Sequence, residues 1–382
     1  AVITIEKRLE LPESYPLSRI GAPDQLLFFD IETTGLSAEH SRLYLIGCVF
    51  YRKNEWRMIQ WFADTEDSER QLLLAFFEYT KDFSCLIHFN GDSFDIPYLQ
   101  KRCAFLGLDC GFSHMASFDI YKKIKPFKKL LGLENLKQKT VERFLGISRE
   151  DRFSGGQLIA VYENYLVSQN QNLYHLLTLH NEEDLKGMPA VLPILSYPDF
   201  FRLPAMPAGW KEAFVTDAFG TEEPLIRLLY ESPVVLPSPI AAEVPPFSLE
   251  AEGNRLCLSV PLVCGEMKRF YPNYKDYYYL IYEDTAVHKS VGEYVERSAR
   301  KRATAKTCYT KTAGRFLPQP APIFSEYVKK DYSDRLTYVP CSPELLDRLC
   351  PSRRSDSGRE PDTKLSLQYL RDVLDWIGLP SS

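Results

Sequence analysis

A mixed α/β sheet flanked by helices, followed by a smaller aromatic-rich β or α+β module and a C-terminal helix, is the fold class the sequence predicts. Three observations predict it. Up to about residue 197, apolar runs of strand length alternate with segments of helical periodicity. Ten prolines then crowd the stretch from Pro193 to Pro246, which reads as a connector between domains. Beyond them come short alternating patterns rich in tyrosine, and at the end apolar residues at helical spacing.

In the first part the expected strands are Leu26 to Asp30, Tyr44 to Tyr51, Trp56 to Phe62 and Cys85 to Phe89, with a weaker fifth from Met115 to Ile120. Asp67-Ser68-Glu69 opens a helix whose Leu72, Leu73, Phe76 and Phe77 form one apolar stripe behind a capping residue. Further helices are expected at Leu133 to Leu145, at Gly156 to Leu166 and from Asn172 onward, the last buried through Leu173, Leu176, Leu177 and Met188 and ended or kinked by Pro189 and Pro193. After the connector, Leu256 to Leu262 alternates like a strand, with Pro261 pointing to a sheet edge. Tyr277 to Tyr282 and Ala305 to Thr310 read as strands, and Gly314 as a turn before Arg315-Phe316-Leu317. Leu367, Leu370, Leu374 and Ile377 give an amphipathic helix that docks on the body after a polar tether from Ser352 to Asp362. The expected division is an extension over 1–23, an α/β domain over 24–197, a connector over 198–247, a module over 248–341, and tether and helix over 342–382.

Bulk properties narrow the function classes. A chain of 382 residues with net charge −5 has no global basic excess, so contact with nucleic acid would rest on local patches. The nine cysteines form no C-x-x-C pair, and several lie in apolar segments, as reduced core residues do. No leader and no membrane-length apolar run is visible, which sets the expectation of a cytoplasmic protein with no membrane partner.

Chemistry concentrates in three places. Asp30 and Glu32 end the first strand; alternation sends both to one face while Ile31 turns back to the core. Two desolvated carboxylates need cations to stay ionised, and divalent ions answer that need, although Asp-x-Glu at a strand end is also a common solvated turn. A second acid, Asp95, follows the fourth strand in His88-Phe89-Asn90-Gly91-Asp92-Ser93-Phe94-Asp95-Ile96-Pro97; alone, Asp92 or Asp95 is more economically read as a helix cap. In Leu179-His180-Asn181-Glu182-Glu183-Asp184-Leu185, His180 and Asp184 stack one turn apart, fit either for a metal site with an imidazole beside it or for an ordinary charged helix face.

Taken together, in this order and with these neighbours, the three segments resemble the Exo I, Exo II and Exo III motifs of the DEDD exonuclease superfamily with its RNase H-like fold. The nearest likeness is to the YprB-like group of predicted nucleases. The similarity spans about Leu26 to Leu195 and includes Phe118-Asp119-Ile120-Tyr121 and Leu145-Gly146-Ile147. It implies that Asp30, Glu32, Asp95 and Asp184 hold two Mg²⁺ or Mn²⁺ ions, with His180 as general base. It further implies that Thr33, Thr34, Leu36 and Asn90 line the pocket for the terminal nucleotide. The histidine stands four residues before the last acid, where most histidine-bearing members have five. The implied activity is metal-dependent 3′-to-5′ hydrolysis of single-stranded DNA or RNA by a two-metal mechanism. The alternative is a catalytically silent RNase H-like module that binds nucleic acid or a protein.

Two basic runs are candidates for gripping a strand through phosphate contacts and stacking. The first is Lys122, Lys123, Lys125, Lys128 and Lys129 with Phe127; a solvated lysine face is the simpler reading there. The second is Arg297, Arg300, Lys301, Arg302, Lys306, Lys311 and Arg315 with Tyr309 and Phe316, and no acid interrupts it.

Overall fold

The computed structural model describes residues 1–12, 14–149, 153, 155–216, 219–351 and 363–380. The expected tether from 352 to 362 lies outside the described residues. The chain divides into two compact units, Ala1–Pro198 and Asp199–Ser382.

Unit 1 is built on a six-stranded sheet of β1 (Val2–Leu9), β2 (Leu26–Thr33), β3 (Leu43–Arg52), β4 (Glu55–Ala63), β5 (Cys85–His88) and β6 (Ala116–Asp119), in the order β1-β4-β3-β2-β5-β6. The β2–β5 and β5–β6 pairs are parallel and the rest antiparallel, the mixed sheet of an RNase H-like fold. Its helices are α1 (Glu69–Thr80), α2 (Asp95–Phe105), α3 (Ile120–Ile124), α4 (Gln138–Phe144), α5 (Gly155–Ser168) and α6 (Gln171–Val191), and α7 (Ser196–Arg202) follows. β2 is central, and Leu26 to Phe29 are 1% exposed or less, as a strand covered on both faces requires. The apolar stripe of α1 packs into this core, with Leu72, Leu73 and Phe76 fully buried.

The structure corrects three expectations here. Residues 1–23 are not an appendage, because β1 pairs antiparallel along β4 from Val2↔Ala63 to Leu9↔Trp56 and extends the sheet. The helix expected from Leu133 begins only at Gln138: the Asn135 side chain accepts the Lys137 N–H at 3.0 Å, and this Asx turn delays helical geometry. Ser68 is the residue before α1, but its hydroxyl bonds Thr65 at 2.7 Å rather than a helix N–H. Pro189 lies inside α6, which ends two residues later at Val191.

Unit 2 contains a five-stranded antiparallel sheet in the order β7-β8-β11-β10-β9, from β7 (Met206–Thr216), β8 (Glu222–Glu231), β9 (Ile240–Val244), β10 (Phe247–Glu252) and β11 (Arg255–Pro261). The proline-rich stretch is therefore not a connector but the start of this sheet. Its prolines are tolerated because Pro207 sits at an irregularity of edge strand β7 and Pro245-Pro246 lies in the turn between β9 and β10. Pro261 is the last residue of β11, which is a central strand and not an edge. A three-stranded sheet of β12 (Val263–Phe270), β16 (Tyr309–Gln319) and β17 (Thr337–Pro340) follows, and β13 (Tyr277–Leu280), β14 (Thr285–His288) and β15 (Arg300–Arg302) form another. Gly314 is within β16, opposite Gly265, not in a turn. Residues 305–308, expected as strand, precede β16 and turn through a Cys308 N–H to Thr304 bond. Helices α8 (Lys289–Gly292), α9 (Pro343–Leu349) and α10 (Thr363–Ile377) also belong to the unit. The expected amphipathic helix docks on its own unit, with Leu370 and Leu374 buried and the Tyr369 hydroxyl donating to the Pro318 carbonyl at 2.7 Å. All nine cysteines are free, and Cys264 is exposed rather than part of the core.

Candidate metal centre

The pleat of β2 puts Asp30 and Glu32 on the face covered by α6, which packs on β2 and β3. Asp30 lies opposite Gly47 of β3, and a methyl group on Gly47 would run into the Asn181 and Leu185 side chains. Glycine at that point lets α6 come close enough for Asn181 to reach the acid: its amide nitrogen donates to Asp30 Oδ2 at 2.8 Å. Asn181 is itself fixed by Gln60 of β4, whose Nε2 donates to Asn181 Oδ1 at 2.8 Å. Burial, and then the negative charges of Asp184, Glu32 and Asp95, push the Asp30 carboxyl well above the usual range.

One turn apart on α6, His180 and Asp184 face Glu32. His180 Nε2 is 3.7 Å from Glu32 Oε1 and 3.5 Å from Asp184 Oδ2, and ligand atoms of the three lie within 4.8 Å of one another, close enough to hold one metal ion. Of the two other acids of this segment, Glu182 turns to Lys7 of β1 and Lys186 at 2.6 and 2.7 Å, and Glu183 stands 3.8 Å from Lys186.

Asp184 is steadied from the far side. Arg149 Nη1 donates to Asp184 Oδ1 at 2.5 Å, while its Nη2 donates to Glu142 Oε1 at 2.6 Å and its Nε to Glu142 Oε2. Glu142 is almost fully buried on α4, and Gln138 of the same helix donates to the Asp184 carbonyl at 2.9 Å. Gly187 permits this approach of α4 to α6, because a Cβ there would meet Glu142, Gln138 and Arg149.

Asp95 is the first residue of α2 and is buried. The N-cap is Phe94, with no side-chain cap bond, and Asp92 is instead taken up by Lys122 at 2.6 Å and by Ser117. Neither acid therefore plays the capping part that each resembles in isolation. Burial raises the Asp95 carboxyl to about 7; backbone N–H groups at Asp95 and Ile31 oppose the rise, and the charges of Asp119 and Asp184 add to it. Glu32 of β2 thus meets His180 and Asp184 of α6 in one group, and Asp30 and Asp95 lie within electrostatic reach of Asp184.

The residues expected to line a nucleotide pocket lie at the end of β2 and in the turn after it, directly beyond Glu32, and in the loop after β5. Thr33 donates its hydroxyl to the Gly35 carbonyl at 2.8 Å, and Thr34 accepts the Arg42 N–H at 2.9 Å, so both hydroxyls shape the turn after β2. That turn is anchored on α2, where Arg102 donates to the Ala38 carbonyl at 2.8 Å and Tyr98 bonds Ser41 at 2.8 Å. Leu36 stands 86% exposed on it. Asn90 adopts a left-handed backbone, φ 65°, and its N–H donates to Asp119 Oδ1 at 2.9 Å.

Sequence reasoning did not single out Arg149, Asn181, Gly47 or Asp119. Asn181 and Asp119 stood inside the quoted motifs, and Gly47 interrupts an apolar strand run, a recognised sign of close approach. Arg149 carries no local signal. Asp119 accepts the Lys122 N–H at 3.4 Å at the start of α3, and its Oδ2 has no hydrogen-bond donor among the described residues. With His88 and Asp92 it forms a second group of metal-ligating atoms within 4.8 Å, already neutralised in part by Lys122. The first basic run offers no stacking ring from Phe127, which is 3% exposed.

Hard carboxylate oxygens, with two of the acids pushed up by burial and mutual repulsion, are a donor set suited to Mg²⁺ or Mn²⁺, and neither group of ligating atoms among the described residues holds a thiolate or a second histidine. No helix among the described residues is long and apolar enough to cross a membrane.

Comparison with known proteins agrees with the fold. Residues 27–195 match the family model of the RNase H superfamily. A DNA polymerase of Thermococcus kodakarensis is 35% identical over 94 residues, 22% of this chain and 6% of the polymerase. A DNA polymerase of Pyrococcus glycovorans is 36% identical over 93 residues, 22% of this chain and 12% of the polymerase. The chain thus spans only a small part of the curated relatives it matches. A solved family B DNA polymerase from Pyrobaculum calidifontis aligns over 47% of this chain and 26% of its own, with 16% identity and a TM-score of 0.38. Unit 1 accordingly carries an RNase H-like domain, over residues 27–195, similar to a short segment of DNA polymerases.

Proposed function

We propose that unit 1 is a metal-dependent DEDD-type nuclease of the YprB-like kind, which hydrolyses phosphodiester bonds of single-stranded DNA or RNA from the 3′ end. The observation that carries this reading is the meeting of Glu32, His180 and Asp184 within reach of one ion, with Asp30 in the field of Asp184, Glu32 and Asp95. A module that only binds has no use for four carboxylates where phosphates must approach. The direction of attack rests on the motif resemblance, and the nucleic-acid substrate also on the likeness to DNA polymerases.

Asp30, Glu32, Asp95 and Asp184 would hold two Mg²⁺ or Mn²⁺ ions, which when bound supply the positive charge that makes water a nucleophile at neutral pH and stabilises the leaving oxygen. The protein's own groups do the rest. His180, its Nε2 turned toward Glu32 and Asp184, accepts the proton of the attacking water. Asn181 and Arg149 hold Asp30 and Asp184 in place through one carboxylate oxygen each. Leu36 offers an apolar surface for the terminal base, while Thr33, Thr34 and Asn90 set the rim on which that nucleotide rests.

The test is incubation with 3′- and 5′-labelled single-stranded DNA and RNA in Mg²⁺, Mn²⁺ or EDTA, beside Asp30→Asn and Asp184→Asn. Metal-dependent shortening from the 3′ end is expected for wild type, with a loss of at least a hundredfold in both variants. Binding without degradation in either metal would replace the enzyme with the silent module. His180→Ala should slow turnover while leaving metal affinity in place; equal loss of both would make His180 a ligand instead.

A further inference from the structure

Unit 2 carries a cluster of exposed cations and tyrosines that the centre in unit 1 does not use. Edge strand β15 presents Arg300, Lys301 and Arg302 in register with Leu280, Tyr279 and Tyr278 of β13. The Arg300 guanidinium stacks over the Tyr278 ring at 4.5 Å, and the Lys301 ammonium stands 5.2 Å from the centre of the Tyr279 ring. Arg297, just before the strand, and Lys306, just after it, are exposed, as are Lys301 and Arg302. Not all of the run is free: Lys311 pairs with Asp284 at 2.6 Å and with Glu266 at 3.2 Å, and Arg315 pairs with Glu212. Among the described residues no ion pair is formed by Arg297, Lys301, Arg302 or Lys306, in a chain whose net charge is −5.

The rings that interleave this run in sequence are not available, since Tyr309 and Phe316 are 6% and 0% exposed. Others are. Tyr282, two residues after β13, is 80% exposed, and Tyr294, between α8 and β15, is 91% exposed. The small sheet that bears them is stiffened from below. Asp284 accepts from the hydroxyls of Tyr279 and Tyr309 and from Lys311, which hold its carboxyl well below the usual range and tie β13 to β16. Tyr271 stacks on Tyr277 with ring centres 5.4 Å apart and planes 8° apart.

Cations on an edge strand also guard against unwanted strand pairing. That explains β15 alone. It does not explain unpaired cations on both sides of the strand, or two large rings left in solvent that folding would otherwise gain by burying. Unpaired cations with free aromatic faces are the two components by which single strands are held without base reading: the cations take phosphates and the rings take bases.

We infer that the β13–β14–β15 sheet of unit 2, through Arg297, Lys301, Arg302 and Lys306 with Tyr282 and Tyr294, is a second contact site for single-stranded nucleic acid. The identity of the ligand rests on the nuclease reading of unit 1; the surface itself does not. It grips a strand without regard to sequence and keeps the chain engaged between successive hydrolytic events.

The test separates the two readings by measuring binding in EDTA, where hydrolysis does not enter. Full-length protein is titrated into labelled oligo(dT) and oligo(U) of about 20 nucleotides, longer than the ~4–16-nucleotide footprint of single-strand grooves. Arg297→Ala/Arg302→Ala/Lys306→Ala should bind at least tenfold more weakly, with the slope of log affinity against log salt reduced by ~2, or about 0.7 per lost phosphate contact. Tyr282→Ala/Tyr294→Ala should also lose about tenfold, with the slope unchanged. Unaltered melting temperatures would show that these surface changes leave the fold intact. Binding within twofold of wild type in both variants overturns the inference. So does displacement of the oligonucleotide by poly-glutamate as effectively as by unlabelled oligonucleotide, an outcome that assigns the surface to an acidic protein. If the variants lose binding and wild type degrades nothing in Mg²⁺ or Mn²⁺, the surface stands and the nuclease reading of unit 1 fails.

Discussion

Arg149 stands between two carboxylates, one with a structural role and one in the proposed metal centre. Its side chain is 10% exposed and Glu142 beneath it only 1%. Arg149→Met therefore leaves a buried carboxylate without its counter-ion, held among the described residues only by the Gln138 amide at 3.0 Å, a change that typically costs ~3–5 kcal/mol. Adding Glu142→Gln should restore most of that stability, read as urea midpoint. It should not restore turnover, because Asp184 Oδ1 has still lost its 2.5 Å partner. Recovery of both together would make Arg149 purely structural. Asp95 gives a second prediction. Its carboxyl is raised from 3.8 to about 7, so the folded protein keeps a proton that the unfolded chain has released between those values. The metal-free protein should therefore lose stability as pH rises from about 4 to about 7 and level off above. Asp30, raised by burial and by the same neighbours, acts in the same direction. Melting temperatures in EDTA should fall across that window, and Asp95→Asn should flatten the fall; a rise with pH would contradict the placement of these acids.

Among the elements, α6 against β2 and β3 is the contact on which the site depends, and Gly47 sets its spacing. Gly47→Ala forces a methyl group into Asn181 and Leu185, an overpacking that typically costs about 1–3 kcal/mol. Because Asn181 is then displaced from Asp30, activity should fall by more than the loss of folded protein explains, which specific activity at a temperature well below melting would measure. Retained activity in a destabilised Gly47→Ala would show that the Asn181 contact is dispensable. Strands β2 to β5 were legible because each is an apolar run bounded by turn residues, whereas β1 was not, being polar and exposed over Glu6-Lys7-Arg8. Asp30, Glu32, His180 and Asp184 were legible because their spacing is local, two residues on a strand and four on a helix. Arg149 was not, because it meets Asp184 across 35 residues through a helix pair that no periodicity encodes. Unit 2 was misread where composition stood in for geometry: prolines argue against a central strand but sit readily on edge strands, in turns and at strand ends, as Pro207, Pro246 and Pro261 do.

For the whole molecule, the proposed function and the inferred surface assign chemistry to unit 1 and grip to unit 2. The hydrophobic cluster that runs from Leu27 to Leu177 lies within unit 1, and every proposed ligand lies before Pro198. A fragment ending at Arg202, which keeps α7 entire, should therefore unfold cooperatively on its own. Mg²⁺ or Mn²⁺ at a hundred times its dissociation constant should stabilise that fragment by ~2.7 kcal/mol, or roughly 5–10 °C for a domain of this size. Asp184→Asn should abolish most of the shift. The fragment should hydrolyse oligonucleotides of a few residues about as fast as the full chain does, because the centre is complete within it. On long strands it should release the substrate after fewer cuts, since the cations and tyrosines of the β13–β14–β15 sheet are gone. Equal processivity on long strands would mean that unit 2 does not contribute to holding the substrate, whatever it binds in isolation. Failure of the fragment to respond to metal, while the full chain does, would mean that the centre needs a group outside residues 1–202.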